Sequence, residues 1–195
     1  MNRAKKIIWS AISAALYFIP SDGDAQAKDS QRQKWSFHSY TAAGILTGEN
    51  GPAFECQTVN GMGNRSWFAG LGLGIDYYQF RSVPVFIDLK KTYYWKSFGL
   101  YGYADGGIQF PWILPEQHNF YQSSFSNGFY GDVGLGLLIP CGKYSHLFAS
   151  FGYSLKEAKE QNNSLYFCPM GSCSPNHEMI FYELNRFSIK MGISF

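Results

Sequence analysis

The last eleven residues of the chain, Asn185 to Phe195, limit its possible folds more than any other stretch. Phe187, Ile189, Met191, Ile193 and Phe195 fall on one parity, and Arg186, Ser188, Lys190, Gly192 and Ser194 on the other. Successive side chains of a strand point to opposite faces, so this segment has one apolar face and one polar, basic face. The apolar stripe runs to the final residue, with no later segment to cover it. The expectation is a strand whose outer face is covered by lipid.

Composition supports strands over helices as the membrane element. Aromatic residues make up 18% of the 195 residues and charged residues only 15%, against about 25% charged in soluble domains. Beyond the amino-terminal segment no run of 18 apolar residues exists, which excludes transmembrane helices. Alternation explains both facts, because apolar and polar residues average out along each strand. The net charge of +2 is too small to imply a nucleic-acid partner.

The amino terminus reads as a secretion signal over residues 1–27. Arg3, Lys5 and Lys6 form a basic start, Ile7 to Ile19 an apolar core, and Ala25-Gln26-Ala27 a small-residue cleavage site. Residues 28–195 are expected to form one domain in an oxidising compartment, where disulfides are permitted.

Eight segments of that domain read as strands, at 35–46, 52–61, 66–79, 82–91, 97–107, 128–140, 144–156 and 183–195. In the third, Trp67, Ala69, Leu71, Leu73 and Ile75 oppose Gly70, Gly72, Gly74 and Asp76. The fourth sets Val83, Val85, Ile87 and Leu89 against Asp88 and Lys90, and the sixth sets Val133, Leu135, Leu137 and Ile139 against Asp132, Gly134 and Gly136. The predicted fold class is all-β: an eight-stranded antiparallel up-and-down transmembrane β-barrel. Strands of about ten residues suffice to span a bilayer when tilted. With a periplasmic amino terminus, the short turns 62–65, 92–96 and 141–143 lie inside, and the two long connections, 108–127 and 157–182, both lie outside. Aromatics gather at predicted strand ends: Trp35, Trp67 and Trp95 on the inner side, with Tyr93, Tyr94 and Phe195 nearby, and Tyr77, Tyr78, Phe110, Trp112, Phe129, Tyr130, Phe181 and Tyr182 on the outer. Such girdles suit rings that prefer the headgroup region.

The face opposite the lipid carries Glu55, Asp76, Asp88, Asp105 and Asp132 with Lys90, Lys156, Arg186 and Lys190. An eight-stranded barrel is just wide enough to be filled by its own side chains. These charges are expected to pair as a network that plugs the lumen, because an unpaired buried charge costs several kcal/mol. A narrow gated pore is the sharper alternative.

Cys168 and Cys173 flank Pro169 and Gly171 in the longest outer loop, a spacing that fits a local disulfide at a turn. Zinc is the alternative there, with His177. It needs three or four ligands, and only His118 on another loop remains, so no metal is expected. Cys56 in a strand and Cys141 in a turn are expected to be free. His118 with Ser123 or Ser124, and His177 with Glu178, are the sole nucleophile or base pairings at the outer end. Both read as solvated loop residues, so neither an enzyme nor a cofactor is expected.

The whole of 28–195 resembles small bacterial outer-membrane β-barrels of the OmpA/OmpX type. The run Trp67-Phe-Ala-Gly-Leu-Gly-Leu-Gly-Ile-Asp-Tyr-Tyr78, followed by Arg81-Ser-Val-Pro-Val-Phe-Ile-Asp-Leu89, is similar to uncharacterised envelope barrels of that class. The resemblance implies a monomer in the bacterial outer membrane, surrounded by its lipid. It also implies that Phe187, Ile189, Met191, Ile193 and Phe195 act as the assembly signal read by the barrel assembly machinery. No functional residue carries over. The expected role is a structural scaffold presenting loops 108–127 and 157–182 for surface interaction. The alternatives are a soluble lipocalin-like periplasmic lipid-binding barrel with its apolar face inside, a narrow pore, or a lipid A-modifying enzyme.

Overall fold

The computed structural model describes residues 35–112, 122–142, 145–164 and 176–195, with backbone alone at 122–124, 162–164 and 176–178. The expected signal peptide 1–27, the Cys168–Cys173 bridge and His118 lie outside the described residues. So do the side chains of Ser123, Ser124, His177 and Glu178.

The strands are β1 Ser36–Gly48, β2 Gly51–Gly63, β3 Trp67–Asp76, β4 Ser82–Tyr94, β5 Gly99–Pro111, β6 Gln122–Ser126, β7 Gly128–Pro140, β8 His146–Ser164 and β9 Asn176–Ser194. Every pairing is antiparallel, in the order β1-β2-β3-β4-β5-β7-β8-β9, and β9 returns to pair with β1. This is the expected closed barrel of eight strands. Walking from partner to partner around the ring returns to β1 displaced by about ten residues. That stagger accompanies strands tilted by about 40°.

Closure is completed by the carboxyl terminus. The Ser39 N–H donates to the Phe195 carbonyl at 2.7 Å and the Phe195 N–H to the Ser39 carbonyl at 3.0 Å, one rung beyond the Tyr40–Ser194 pair. Phe195 thus satisfies backbone groups that would otherwise be bare at the seam.

The faces follow the expected parity. Leu71, Leu135, Ile189 and Met191 are more than half exposed, whereas Asp88, Asp132, Lys156 and Arg186 are at most 1% exposed. A large apolar exterior around a charged interior is the reverse of a soluble lipid-binding barrel. It is stable only where lipid replaces water. From Phe187 to Phe195 the outward stripe covers about 26 Å of strand, or about 20 Å along the barrel axis, close to the apolar band of such barrels.

The connections at the end where β1 begins and β9 ends are short: 64–66, 95–98 and 141–145. Two differences from the sequence reading appear at the other end. β3 stops at Asp76 instead of continuing to 79, because the Asp76 side chain accepts the Tyr78 N–H at 2.7 Å and turns the chain. Gln79 then adopts a left-handed φ of 61°. Tyr78 and Tyr130, both expected in the outer girdle, are turned inward and 1% and 2% exposed; the Tyr78 hydroxyl accepts the Asn50 N–H at 2.9 Å and Tyr130 packs with Phe86.

The second difference is larger. Much of the expected loops 108–127 and 157–182 is strand: β5 reaches Pro111, β8 runs to Ser164 and β9 begins at Asn176. β6 adds a third strand to this extension through β8, from Gln122↔Asn163 to Ser126↔Lys159. β7 then continues in the same direction from Tyr130↔Lys156. Three residues between those rungs face two on β8, so β6 and β7 are one strand broken by a β-bulge. Gly128 sits in the bulge against the Glu157 carbonyl, where a Cβ would overlap that oxygen.

Two outcomes are expected. Leu135→Arg and Ile189→Arg should each lower the unfolding free energy in lipid by about 2–4 kcal/mol, read from urea titrations in vesicles. Deleting Phe195 removes both hydrogen bonds to Ser39 and should leave a species lacking the gel-mobility shift of a folded barrel.

Candidate functional site in the barrel lumen

All nine charged residues assigned to the lumen point into it and are buried. They divide into two groups along the axis.

Near the loop-bearing end, Asp76 of β3 takes two cations. Arg186 of β9 donates to it from Nη1, and Lys156 of β8 lies 3.4 Å away. Arg186 also donates to the Ser154 hydroxyl at 2.7 Å. The Lys156 ammonium reaches the Tyr78 and Phe80 carbonyls at 3.3 and 3.2 Å and sits 4.0 Å from the centre of the Phe80 ring. Above this group, Leu46, Tyr78 and Leu184 are buried together against Phe80 and Tyr182. The Phe80 ring packs on Phe125 and Tyr182. The mouth is therefore capped by apolar rings over a paired triad.

The middle of the barrel is more acidic. Asp88, Asp105 and Asp132 are lateral partners on β4, β5 and β7, so three carboxylates stand side by side on one face of the sheet. Like charges opposite one another are unfavourable, and two lysines answer them. Lys190 of β9 lies 2.9 Å from Asp132 and 3.8 Å from Asp105, and Lys90 lies 2.5 Å from Asp88. Tyr103 donates to Asp132 at 3.0 Å. Rings share the load: Lys90 is 3.9 Å from the centre of the Tyr40 ring and Lys190 4.7 Å from that of Tyr103. Such contacts contribute most when desolvated. Glu55 approaches Lys190 across Gly44, where a Cβ would press on both.

Glycines and aromatic rings fill the remaining width. Phe86 lies over Gly72, and Tyr101 over Gly136, in positions a Cβ would occupy. The inward glycines therefore make room for rings and do not widen a channel.

Sequence reasoning named the charges and set Ser154 and Ser188 on their face, where both serve as hydrogen-bond partners. It left out the rings Tyr40, Phe68, Phe86 and Phe148, which pack inside the barrel. Their parity carries the signal: Phe86 shares a face with Asp88 and Lys90. Cys56 and Cys141 are free, as expected. Among the described residues no group of three or more His, Cys, Asp or Glu side chains has metal-site geometry.

No family model and no curated protein matches this chain. Solved structures do. The structure of Neisserial surface protein A, NspA, aligns with a TM-score of 0.55 and 9% identity over 83% of this chain and 97% of that one. The outer membrane protein OprG from Pseudomonas aeruginosa aligns with a TM-score of 0.52 and 9% identity over 82% and 91%. This chain shares their fold, that of small outer-membrane β-barrels.

Asp76→Ala is expected to destabilise the barrel by about 3–5 kcal/mol, because Arg186 and Lys156 would stay buried without their anion. Replacing all three with apolar residues should cost much less, as measured by chemical denaturation of both variants.

Proposed function

We propose that the chain is a bacterial outer-membrane protein whose barrel serves as a rigid scaffold for a surface-interaction platform built on β6, β8 and β9. The sheet extension beyond the barrel supports this reading. β9 parts from β1 after the Gly48–Arg186 pair, yet its ladder with β8 continues to Ser164↔Asn176, and β6 widens it. A scaffold with no external partner has no need for such a projection.

The face of the extension is suited to contact. Met179 and Phe181 are about two-thirds exposed, on the same parity as the lipid stripe but separated from it by the polar Glu183 and Asn185. Lys159, partner of Phe181, holds its ammonium 5.5 Å from the centre of that ring. Beneath it the Tyr182 hydroxyl donates to Glu160 at 2.7 Å, and Glu160 raises the pKa of that hydroxyl. Rigid aromatics offer contact area at low entropy cost, and paired strands hold them in place. The reading needs no catalytic group and no cofactor. The barrel assembly machinery would meet the closing strand through Phe187 to Phe195, and the lumen pairing suits a monomer.

The test replaces 159–181 with a short Gly-Ser turn and measures surface exposure, heat-modifiability and adherence of cells displaying either form. The scaffold reading expects a folded barrel with lost adherence. Unchanged adherence, with membrane permeability instead depending on Asp76 or Arg186, would move the function into the lumen.

A further inference from the structure

Asp105 stands apart within the lumen. Its side chain is 1% exposed and neither carboxylate oxygen accepts a hydrogen bond from the protein. Its closest cation, Lys190, lies 3.8 Å away and is held at 2.9 Å by Asp132. Asp88, its lateral partner on β4, is by contrast held by Lys90 at 2.5 Å. A desolvated oxygen without a donor is destabilising, and more so when it carries charge. Both residues line a cavity of about 10 Å³, which admits one occupant the size of a water molecule.

Charge gives the sign of that occupant. The cavity is lined by two acids, Asp88 and Asp105, and two bases, Lys90 and Lys190; Lys190 is shared with Asp132 and approached by Glu55 across Gly44, so this part of the lumen holds four acids to two bases. The outer triad has the opposite imbalance, one acid to two bases, and is walled off by its own pairing. The whole lumen is left with one more acid than base. From β1 the cavity is faced by Tyr40, from β5 by Tyr101 and Tyr103, and from β8 by Ser150. Tyr130 of β7 is buried in the same cluster as Val59, which also lines the cavity. These side chains bring no positive charge.

We infer that the cavity between Asp88 and Asp105 is a binding site for one small monovalent cation, a proton bridging the two carboxylates or a sodium-sized ion seated between them. Either occupant supplies the missing charge and satisfies the bare oxygens. Water alone would satisfy the oxygens and leave the charge. The bound cation links β4 to β5 and, through Lys190 and Asp132, to β9 and β7. The barrel wall is thereby joined on the side of the lumen away from the Asp76 triad.

Binding to the folded state alone stabilises it by mass action. The refolded protein in detergent micelles is heated in two series and its unfolding midpoint recorded. One series varies pH at fixed sodium; the other exchanges sodium for N-methylglucamine at fixed pH and ionic strength. If the occupant is a proton, the midpoint falls as pH rises, the infrared band of a protonated carboxylic acid is present, and Asp105→Asn removes both effects. If it is sodium, the midpoint falls as sodium is withdrawn, sodium resonances broaden with the wild type, and Asp105→Asn removes both. The amide in Asp105→Asn donates to Asp88 and cancels the excess charge, so this variant should fold; Asp88→Asn is the second variant. Asp76→Asn, in the other group, should keep the wild-type response. A wild-type midpoint indifferent to pH and sodium, or an Asp105→Asn variant that tracks the wild type, overturns the site. Should neither variant fold, a wild type with neither the infrared band nor the sodium broadening overturns it equally.

Discussion

The structure depends on the ladder between β1 and β9. In hydrocarbon no water is available to a bare N–H or carbonyl, so a sheet that crosses it must have no edge. Nine consecutive pairs from Tyr40↔Ser194 to Gly48↔Arg186 remove that edge, and the Ser39–Phe195 exchange adds a rung below them. Once the ring is closed, each strand has only two faces left to assign. The outward one is fixed by lipid and the inward one by the width of an eight-stranded ring. β9 meets all three demands: its backbone closes the ring, Ile189 and Met191 face lipid, and Arg186 and Lys190 supply cations to both lumen groups.

The narrow lumen turns side-chain chemistry into a packing problem. A charge that enters must find its counter-charge within a few ångströms or lose solvation without return. Gly44 shows how closely the two requirements interact. Any larger residue there would press on the Lys190 stem and the Glu55 carboxylate together. Gly72 and Gly136 do the same for Phe86 and Tyr101. Glycine on these strands is therefore half of a two-residue fit, with the ring from the neighbouring strand as the other half.

This explains which features were legible in the sequence. Alternation has a period of two, and one buried face makes it unambiguous, so the faces of β3, β4, β7 and β9 could be read residue by residue. The nine lumen charges followed from parity alone. Their partners did not, because pairing depends on register and stagger, which sequence periodicity does not encode. The row Asp88–Asp105–Asp132 exists only when β4, β5 and β7 lie in one particular register. The outer end was misread for a different reason. Residues 157–164 are polar and carry mixed charge, and the apolar run Met179 to Tyr182 does not alternate, so both read as loop when a lipid-facing stripe is the expected signal. They are strands because the hairpin propagates the β8–β9 ladder out of the membrane, where alternation is no longer enforced on both faces. Tyr78 was misplaced because it was read from its position at a strand end; its parity, shared with Asp76, points inward as the structure has it.

The same reasoning limits what the structural likeness means. At 9% identity NspA and OprG share with this chain only what closure and alternation demand. Many sequences meet those demands, so the fold is recovered without any functional residue in common. What distinguishes one such barrel from another must lie where these constraints are weakest. For this chain there are two such places. One is the β6–β8–β9 extension, free of lipid on one face and of the ring on the other. The second is the middle of the lumen, where three adjacent carboxylates stand although neutral side chains of similar size would pack without a charge penalty. A plug alone does not require Asp105, buried without a hydrogen bond. That uncompensated group is the structural ground for the cation proposed between Asp88 and Asp105.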